Sequence, residues 1–243
     1  MPWRDIKTGH EISQVTVISC REKFVFWIIK RLHSFQNIFR YCIIREKEKG
    51  NSMAQKDREK WNRKFSEMPD LLAPRPPSQL VEKYFPKAPG KRALDLACGG
   101  GRHTLFLSQK GFDVDAVDIS AVALEKLAQK VDPKSVKLIE TDLDDFVLHE
   151  ERYDLIVKTN FLDRDLIERA KKALKKGAVM IVETYLADDA NEKRDSNPDF
   201  LLQKGELEEI FSDGFEILEY REFWNETYEK YRMKKAAIAV KRL

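Results

Sequence analysis

The order of apolar runs between residues 93 and 182 constrains the fold of this chain more than any other feature. Short strand-like runs alternate there with segments of helical periodicity, a pattern typical of βαβ units on a parallel sheet covered on both faces. Ser120 stands where a helix N-cap is expected, and Gly111 where a C-cap is expected. The strand-like runs are residues 93–97, 113–117, 136–139, 153–157 and 179–182, and the helical segments are 102–109, 121–130 and 165–174.

Two further strand-like runs follow a polar loop after Tyr185 and complete the sheet. Residues 215–224 and 230–242 are separated by a short turn near Asn225, so we expect them to pair antiparallel. The predicted fold class is therefore α/β, with a doubly wound, mostly parallel seven-stranded sheet and an antiparallel C-terminal strand.

Three consecutive glycines, Gly99 to Gly101, lie between the first strand and the helix that follows it. Such a loop offers backbone N–H groups to a ligand, and the missing side chains let the ligand approach the backbone. A nicotinamide dinucleotide loop requires a further glycine where this chain has Thr104, and a phosphate-binding P-loop requires Gly-Lys-Ser/Thr where it has Arg102 and His103. Neither motif is present.

An acid inside the first strand, Asp95, precedes the glycines by four residues. A carboxylate at this place repels a pyrophosphate and attracts a ligand that carries ammonium and sulfonium groups. This preference indicates S-adenosylmethionine as the cofactor. Two more acids stand after the next two strands, Asp118 and Asp142.

The segment LDLACGGGR resembles the first motif of class I S-adenosylmethionine-dependent methyltransferases, with Ala97 where that family more often has a glycine. VDAVDIS resembles the second motif and IETDLDDF the third. The resemblance covers about residues 57–243, is to the tellurite-resistance and thiopurine-methyltransferase-like branch, and implies a Rossmann-like fold. The implied cofactor-binding residues are Asp95, Ala97, Gly99 and Gly101 at the methionine end, Asp118 and Ile119 at the ribose, Asp142 and Leu143 at the adenine, and Thr159 after the fourth strand.

The methyl acceptor is expected at the ends of the fourth and fifth strands, where open parallel sheets bind ligands. In-line transfer from a sulfonium depends on positioning and desolvation, so no catalytic acid or base is assigned. For each aromatic candidate, a core position fits the pattern equally well. The candidate walls are Thr159, Asn160, Phe161, Glu183, Thr184 and Tyr185, with Phe200 and Trp224 beside them and Trp61 and Phe65 as a lid.

Polar side chains near the glycine loop also have structural interpretations. Ser78 is expected to cap the short helix that follows a proline-rich linker. Cys98 is expected to be a small filler and His103 a solvated residue at the helix start. Arg102 fits a contact with the methionine carboxylate and an exposed position equally well.

The acceptor is expected to be a small molecule such as a thiol, a chalcogen oxyanion or a carboxylate. The segment after the fourth strand lacks the prolines typical of adenine-amino methyltransferases, and no cysteine follows a proline, as cytosine-carbon methyltransferases require. Residues 53–243 carry 34 basic and 36 acidic side chains, so no nucleic acid partner is expected. The three cysteines are far apart, and no metal site is expected.

The chain divides at about Met53 into an N-terminal extension, residues 1–52, and a predicted methyltransferase domain, residues 53–243. The extension holds ten basic and five acidic side chains, and its apolar residues from Phe24 to Cys42 have helical spacing. It is interpreted as a dispensable amphipathic helix that could touch a membrane surface through residues 21–47. No apolar run is long enough for a membrane span.

Three hypotheses for function stay open at this stage. The main one is a cytoplasmic methyltransferase for a small molecule, since cysteine usage is typical of a reducing compartment. The second is a catalytically silent S-adenosylmethionine-binding sensor or partner-binding protein. The third is a nicotinamide-dependent oxidoreductase. The oligomeric state is left open.

Overall fold

The computed structural model describes residues 18–20, 23–25, 43–45, 52–193 and 195–243. Strands and helices alternate through most of the chain. The strands are β1 (Ile18–Cys20), β2 (Lys23–Val25), β3 (Ile43–Arg45), β4 (Arg92–Leu96), β5 (Asp113–Asp118), β6 (Val136–Glu140), β7 (Tyr153–Thr159), β8 (Leu174–Tyr185), β9 (Phe215–Trp224) and β10 (Lys234–Arg242). The α-helices are α1 (Ser52–Glu67), α2 (Gln79–Tyr84), α3 (Arg102–Gln109), α4 (Ala121–Ala128), α5 (Arg164–Ala173) and α6 (Glu206–Ile210).

The central sheet has the strand order β3-β6-β5-β4-β7-β8-β10-β9. The pairs from β3 to β8 are parallel, whereas β10 is antiparallel to both of its neighbours, β8 and β9. The predicted doubly wound seven-stranded sheet with its antiparallel C-terminal strand is confirmed. The short strand β3 adds an eighth member at the edge beside β6, with Ile43 opposite Leu138.

The strands are apolar because both faces of the sheet are covered. On one face, buried side chains of the strands pack against α5 and α6, for example Leu166 and Leu207. On the other face they pack against α2, α3 and α4, for example Leu80, Leu107 and Leu124. The two cores fix the orientation of strands β4 to β10, and so the side chains at the ends of these strands point to defined faces.

Local signals fix most of the helix ends. Ser120 caps α4 by accepting a hydrogen bond from the amide of Ala123, as predicted, and Asp163 caps α5 in the same way through Leu166. Ser78 occupies the N-cap position of α2, as predicted, but its side chain makes no capping bond. The connection between β9 and β10 spans residues 225–233 and is longer than the predicted short turn.

The predicted amphipathic helix of the extension is wrong at its first residue. Phe24 lies in β2, which pairs antiparallel with β1 and places Phe24 opposite Ser19. Aromatic and β-branched residues such as Phe24 and Val25 favour strands, and the neighbouring strand satisfies their backbone groups. Residues 26–42 of the predicted helix lie outside the described residues. Among the helices that the structure describes, none combines the length and the apolar character that crossing a bilayer requires.

Candidate functional site

The loop between β4 and α3 has an unusual backbone. Ala97, Gly99 and Gly101 all have positive φ angles, of 55°, 52° and 78°. Glycine adopts this conformation freely, but for Ala97 it costs roughly 1–2 kcal/mol. The left-handed residues turn the chain sharply away from the sheet, so the backbone itself forms the surface beside the end of β4.

The three glycines have different steric surroundings. A methyl group on Gly101 would lie 2.2 Å from Cδ1 of Leu127 in α4, and a methyl group on Gly100 would lie 3.0 Å from Cα of Leu72. On Gly99 it would meet only Cζ of Phe65, at 3.9 Å. Packing within the protein therefore requires the last two glycines. Gly99 is the one that leaves free space beside the loop.

Asp95 is buried at the end of β4, with 1% of its surface exposed. Its Oδ2 accepts hydrogen bonds from the amide and from the hydroxyl of Thr104, at 3.0 and 2.6 Å. Burial raises the pKa of Asp95 to about 7, although the bonds from Thr104 oppose the shift. A cationic ligand group close to this carboxylate would favour its ionised form.

Asp118 ends the neighbouring strand β5 and holds the glycine loop. Its Oδ2 accepts a hydrogen bond from the amide of Gly99 at 2.7 Å, and its Oδ1 accepts one from the amide of Ser120 at 2.9 Å. Burial raises its pKa, and the backbone bonds from Ser120, Gly99 and Ile119 oppose the shift. A carboxylate has about four lone-pair sites, so Asp118 can still accept a hydroxyl of a ligand.

The third strand end, after β6, contributes Asp142 and Leu143. Oδ1 of Asp142 accepts a hydrogen bond from the amide of Asp144 at 3.0 Å, which closes a local turn. The carbonyl of Leu143 accepts a bond from the guanidinium of Arg169 in α5 at 2.7 Å, and the side chain of Leu143 is buried. The ends of β4, β5 and β6 therefore lie side by side, and each carries an acidic residue.

Thr159, the last residue of β7, lies opposite Glu183 of β8. The residues after it form a turn in which Asn160 has a φ of 58° and donates its amide to the carbonyl of Glu183 at 2.8 Å. Nζ of Lys158 donates to the carbonyl of Phe161 and so ties the turn to the strand. Lys158 is fully buried, and burial lowers its pKa to about 7. Lys158 is not among the residues predicted from the sequence, although a lysine in an apolar strand is a signal.

Helix α1 covers the glycine loop. Phe65 is buried against Leu72 and Ala123, and Trp61 packs against its ring at a centroid distance of 5.5 Å. Oδ1 of Asn62 accepts a hydrogen bond from the hydroxyl of Ser120 at 2.7 Å. The two aromatic residues are predicted from the sequence as a lid. Asn62 is not predicted, because no local pattern shows that α1 reaches the end of β5.

A pocket of about 230 Å³ opens at the other end of the site, between the segment before α2, the start of α3 and the ends of β8 and β9. Trp224 lines this pocket, whereas Phe200, the other aromatic residue expected beside the acceptor walls, is 55% exposed and is not among the lining residues. The pocket is lined by Ser78, Gln79, Arg102, Glu183, Arg221, Phe223, Trp224 and Glu226.

A buried polar network stands behind this pocket. Nζ of Lys235 lies 2.8 Å from Oε1 of Glu229 and 3.8 Å from Oε1 of Glu183. The hydroxyl of Tyr185 donates to Oε2 of Glu229. Burial is the largest influence on the Tyr185 hydroxyl and raises its pKa, with Glu229 adding to the shift. Two carboxylates share one lysine here, and Glu229 is the nearer of the two.

The surroundings of Cys98 and His103 favour structural roles for both residues. Burial raises the pKa of the Cys98 thiol, which agrees with its interpretation as a filler and disfavours a nucleophilic thiolate. His103 is buried rather than solvated, and its Nε2 accepts a hydrogen bond from the amide of Ser78 at 3.2 Å. Burial lowers its pKa to about 3, so the imidazole is neutral. Within the ranges that the structure describes, no group of three or more His, Cys, Asp or Glu side chains could hold a metal ion.

Comparison with protein families gives a match over most of this site. The family described as "Tellurite resistance protein TehB" matches residues 78–236, which include β4 to β9 and the first part of β10. This range contains the glycine loop, the three acids and all the residues that line the pocket.

Individual relatives agree with this family match. A TehB protein of Haemophilus influenzae, named as a probable S-adenosyl-L-methionine-dependent methyltransferase, is 31% identical over 148 residues, which are 57% of this chain and 50% of the relative. This chain spans about half the length of the curated relatives it matches. The crystal structure of TehB from Haemophilus influenzae has a TM-score of 0.61 at 23% identity and covers 75% of this chain and 67% of that one.

Proteins that are described by different activities share this fold. A structure described as the [4+2]-cyclase SpnF has a TM-score of 0.55 at 17% identity and covers 68% of this chain and 80% of that one. At such identities the likeness concerns the fold alone. The chemistry therefore has to be argued from the residues of the site.

Proposed function

Because this chain belongs to the TehB tellurite resistance family, we propose that it is an S-adenosylmethionine-dependent methyltransferase that methylates a small-molecule acceptor by in-line transfer. Membership of the family confirms the resemblance to the tellurite-resistance branch of class I methyltransferases. The proposed setting is the cytoplasm, where the thiol of Cys98 stays reduced.

The observation that carries this proposal is the bond from the amide of Gly99 to the carboxylate of Asp118. It joins a loop of bare backbone to an acid on the next strand, with a second buried acid, Asp95, at the base of the loop. A diphosphate would be repelled by two carboxylates at this place. A nucleoside with a cationic amino acid tail has the complementary charge.

We assign the parts of the cofactor to the strand ends in their order across the sheet. Asp95, Ala97, Gly99 and Gly101 are proposed to form the methionine end, with Asp95 balancing the ammonium group. Asp118 and Ile119 are proposed to bind the ribose through the free lone pairs of the carboxylate. Asp142 and Leu143 are proposed to bind the adenine, and Thr159 to border the sulfur.

S-adenosylmethionine supplies a methyl group on a sulfonium, which a nucleophile can displace without help from an acid or base. The protein positions the two reactants and excludes water from them. Phe65 and Trp61 cover the loop and exclude water, and the bond from Lys158 to Phe161 holds the turn beside Thr159 in one conformation. Both contributions favour a near-attack geometry over free diffusion.

Residues 53–243 are proposed to be the catalytic unit and residues 1–52 an extension without a role in transfer. Helix α1, which covers the loop, begins at Ser52 and therefore belongs almost entirely to the catalytic unit. The short strand β3 lies at the sheet edge beside β6.

The test is transfer of a labelled methyl group from S-adenosylmethionine to a panel of small nucleophiles by the full chain. Label in a small product supports the proposal. Binding of S-adenosylhomocysteine without any transfer would favour the alternative, a silent sensor or partner-binding protein.

A further inference from the structure

One side of helix α1 reaches the ends of the three strands that we assign to the cofactor. Nε of Arg58 lies 3.8 Å from Oε1 of Glu140, the last residue of β6. Asn62 binds Ser120, which follows β5, and Phe65 covers the glycine loop, which follows β4. The three α1 residues are spaced by four and three positions, which places them on the same side of a helix. Helix α1 therefore lies across the strand ends to which we assign the adenine, the ribose and the methionine.

The side-chain amide of Asn62 joins α1 to the start of α4. Its Oδ1 accepts a hydrogen bond from the hydroxyl of Ser120 at 2.7 Å and a longer one from the amide of Val122 at 3.4 Å. Because a backbone amide can only donate, the oxygen of Asn62, and not its nitrogen, must face Val122. The hydroxyl of Ser120 is therefore the donor in its bond with Asn62.

Ser120 connects this contact to the buried acid of β5. While its hydroxyl donates to Asn62, the same oxygen accepts the amide of Ala123 and so caps α4. The backbone amide of Ser120 donates to Oδ1 of Asp118 at 2.9 Å. The other oxygen of Asp118 accepts the amide of Gly99. A chain of contacts thus runs from α1 through Ser120 and Asp118 to the glycine loop.

Burial makes the direction of the Asp118 carboxylate sensitive to this chain of contacts. Ser120 is fully buried, and Asp118 is only 7% exposed. If α1 moved away, the buried hydroxyl of Ser120 would lose its acceptor, which is unfavourable. The segment after β5 would shift, and the charge-assisted bond from the Ser120 amide to Asp118 would shift with it. The carboxylate therefore depends on a residue that lies outside the strand and the glycine loop.

The ribose of a nucleoside needs a carboxylate at a defined angle. Two neighbouring hydroxyls can donate to one carboxylate only along its lone-pair directions. Hydrogen bonds weaken steeply as their angles become unfavourable. A small rotation of Asp118 would therefore weaken the bonds to the ribose and leave the contacts of the adenine ring unchanged.

We propose that Asn62 is a positioning residue for the ribose site. By holding Ser120, it keeps the carboxylate of Asp118 directed at the ribose hydroxyls of the cofactor. This inference rests on the proposed binding of S-adenosylmethionine and adds a residue of α1 to the three strand ends. It predicts that loss of Asn62 weakens recognition of the ribose in particular.

The experiment compares nucleosides with and without ribose hydroxyls. Adenosine and 2′,3′-dideoxyadenosine displace labelled S-adenosylhomocysteine from the full chain, in the parent and in Asn62→Ala. We expect Asn62→Ala to bind adenosine about threefold to tenfold more weakly and dideoxyadenosine as the parent does.

The ratio of the two affinities separates positioning from general stability. Partial unfolding of Asn62→Ala would affect both nucleosides equally and leave this ratio at the parent value. An unchanged ratio would therefore overturn the inference. A parent chain that does not bind S-adenosylhomocysteine would overturn the proposed function itself.

A double-mutant cycle tests whether Asn62 acts through Asp118. Affinity for S-adenosylhomocysteine is measured for Asn62→Ala, for Asp118→Ala and for the double variant. Asn62→Ala should weaken binding about threefold to tenfold in the parent and less than about twofold in the Asp118→Ala chain. An equal loss in both backgrounds would overturn the inference and leave cofactor binding established. Arg63→Ala, next to Asn62 and exposed, is the control and should bind as the parent does.

Discussion

The amide of Gly99 and the carboxylate of Asp118 are joined by a 2.7 Å hydrogen bond across two neighbouring strand ends. The other oxygen of Asp118 holds the amide of Ser120, which caps α4. One carboxylate thus fixes both the glycine loop and the start of a helix, and it is the group that we assign to the ribose. Its loss should affect cofactor binding and stability together.

Asp118→Ala should weaken binding of S-adenosylhomocysteine by about 1–3 kcal/mol, because a charged hydrogen-bond partner is removed. Titration calorimetry of the full chain measures this change. Asp113→Ala, at the exposed first residue of the same strand, is the matched control and should bind as the parent does. Unchanged affinity in Asp118→Ala would remove the ribose assignment.

Asp95→Asn should alter the pH dependence of stability. Burial raises the pKa of Asp95 to about 7, so the native state holds this proton to higher pH than the unfolded chain does. The contribution of Asp95 to stability is therefore complete below about pH 4 and is lost as the pH rises to about 7. The free energy of unfolding of Asp95→Asn, relative to the parent, should rise by about 2–4 kcal/mol between pH 4 and pH 8.

The control for this experiment is Asp113→Asn, which should show no such relative change because the residue is exposed. Chemical unfolding at a series of pH values gives the difference directly. A constant difference between Asp95→Asn and its parent would show that folding leaves the pKa of the Asp95 carboxyl group unchanged. The bonds from Thr104 would then offset burial.

Gly101→Ala should be much more destabilising than Gly111→Ala. Both glycines have φ angles near 80°, so each substitution carries a conformational cost of roughly 1–2 kcal/mol. A methyl group on Gly111 meets nothing within 4 Å, whereas on Gly101 it would overlap Leu127. We expect an additional cost of about 1–3 kcal/mol at Gly101 from overpacking.

The double variant Gly101→Ala with Leu127→Ala tests the cause of that extra cost. If the clash with Leu127 is responsible, the two changes should be less destabilising together than the sum of their separate effects. Strict additivity of the unfolding free energies would contradict the packing role that we assign to Gly101.

A chain that begins at Met53 should keep its affinity for S-adenosylhomocysteine within about twofold, since β3 lies at the sheet edge. Titration calorimetry of the shorter and the full chain measures this ratio. Loss of binding in the shorter chain alone would give residues 1–52 a role in the site.

Phe65→Ala in that shorter chain should lower the free energy of unfolding by about 3 kcal/mol, because a buried aromatic ring is removed from above Gly99. Arg63→Ala, on the same helix and exposed, is the control.

The sequence was most informative where a signal is local. The helical segment 102–109 agrees with α3 to the residue, and the N-cap at Ser120 is as predicted. The positions of Asp95 and Asp118 at adjacent strand ends follow from the βαβ pattern alone. Spacing along the chain is sufficient for such features because strand and helix periods determine them.

Other features depend on contacts between distant parts of the chain. Ser78 is the N-cap residue of α2, as its sequence context predicts, but its side chain makes no capping bond. Its amide donates to His103, and the residue borders a pocket with Arg221 of β9. The sharing of Lys235 between Glu183 and Glu229 depends on the register of β10 against β8. No local pattern contains that register, and so the pocket could not be derived from the sequence.

Titration calorimetry of the full chain at pH 7.5 with S-adenosylhomocysteine, and separately with NADH, tests the central claim most directly. Two buried carboxylates beside a bare loop should select the amino acid-bearing nucleoside and reject the diphosphate. We predict saturable one-to-one binding of S-adenosylhomocysteine and no binding of NADH over the same concentrations. Binding of NADH in preference to S-adenosylhomocysteine would contradict the account.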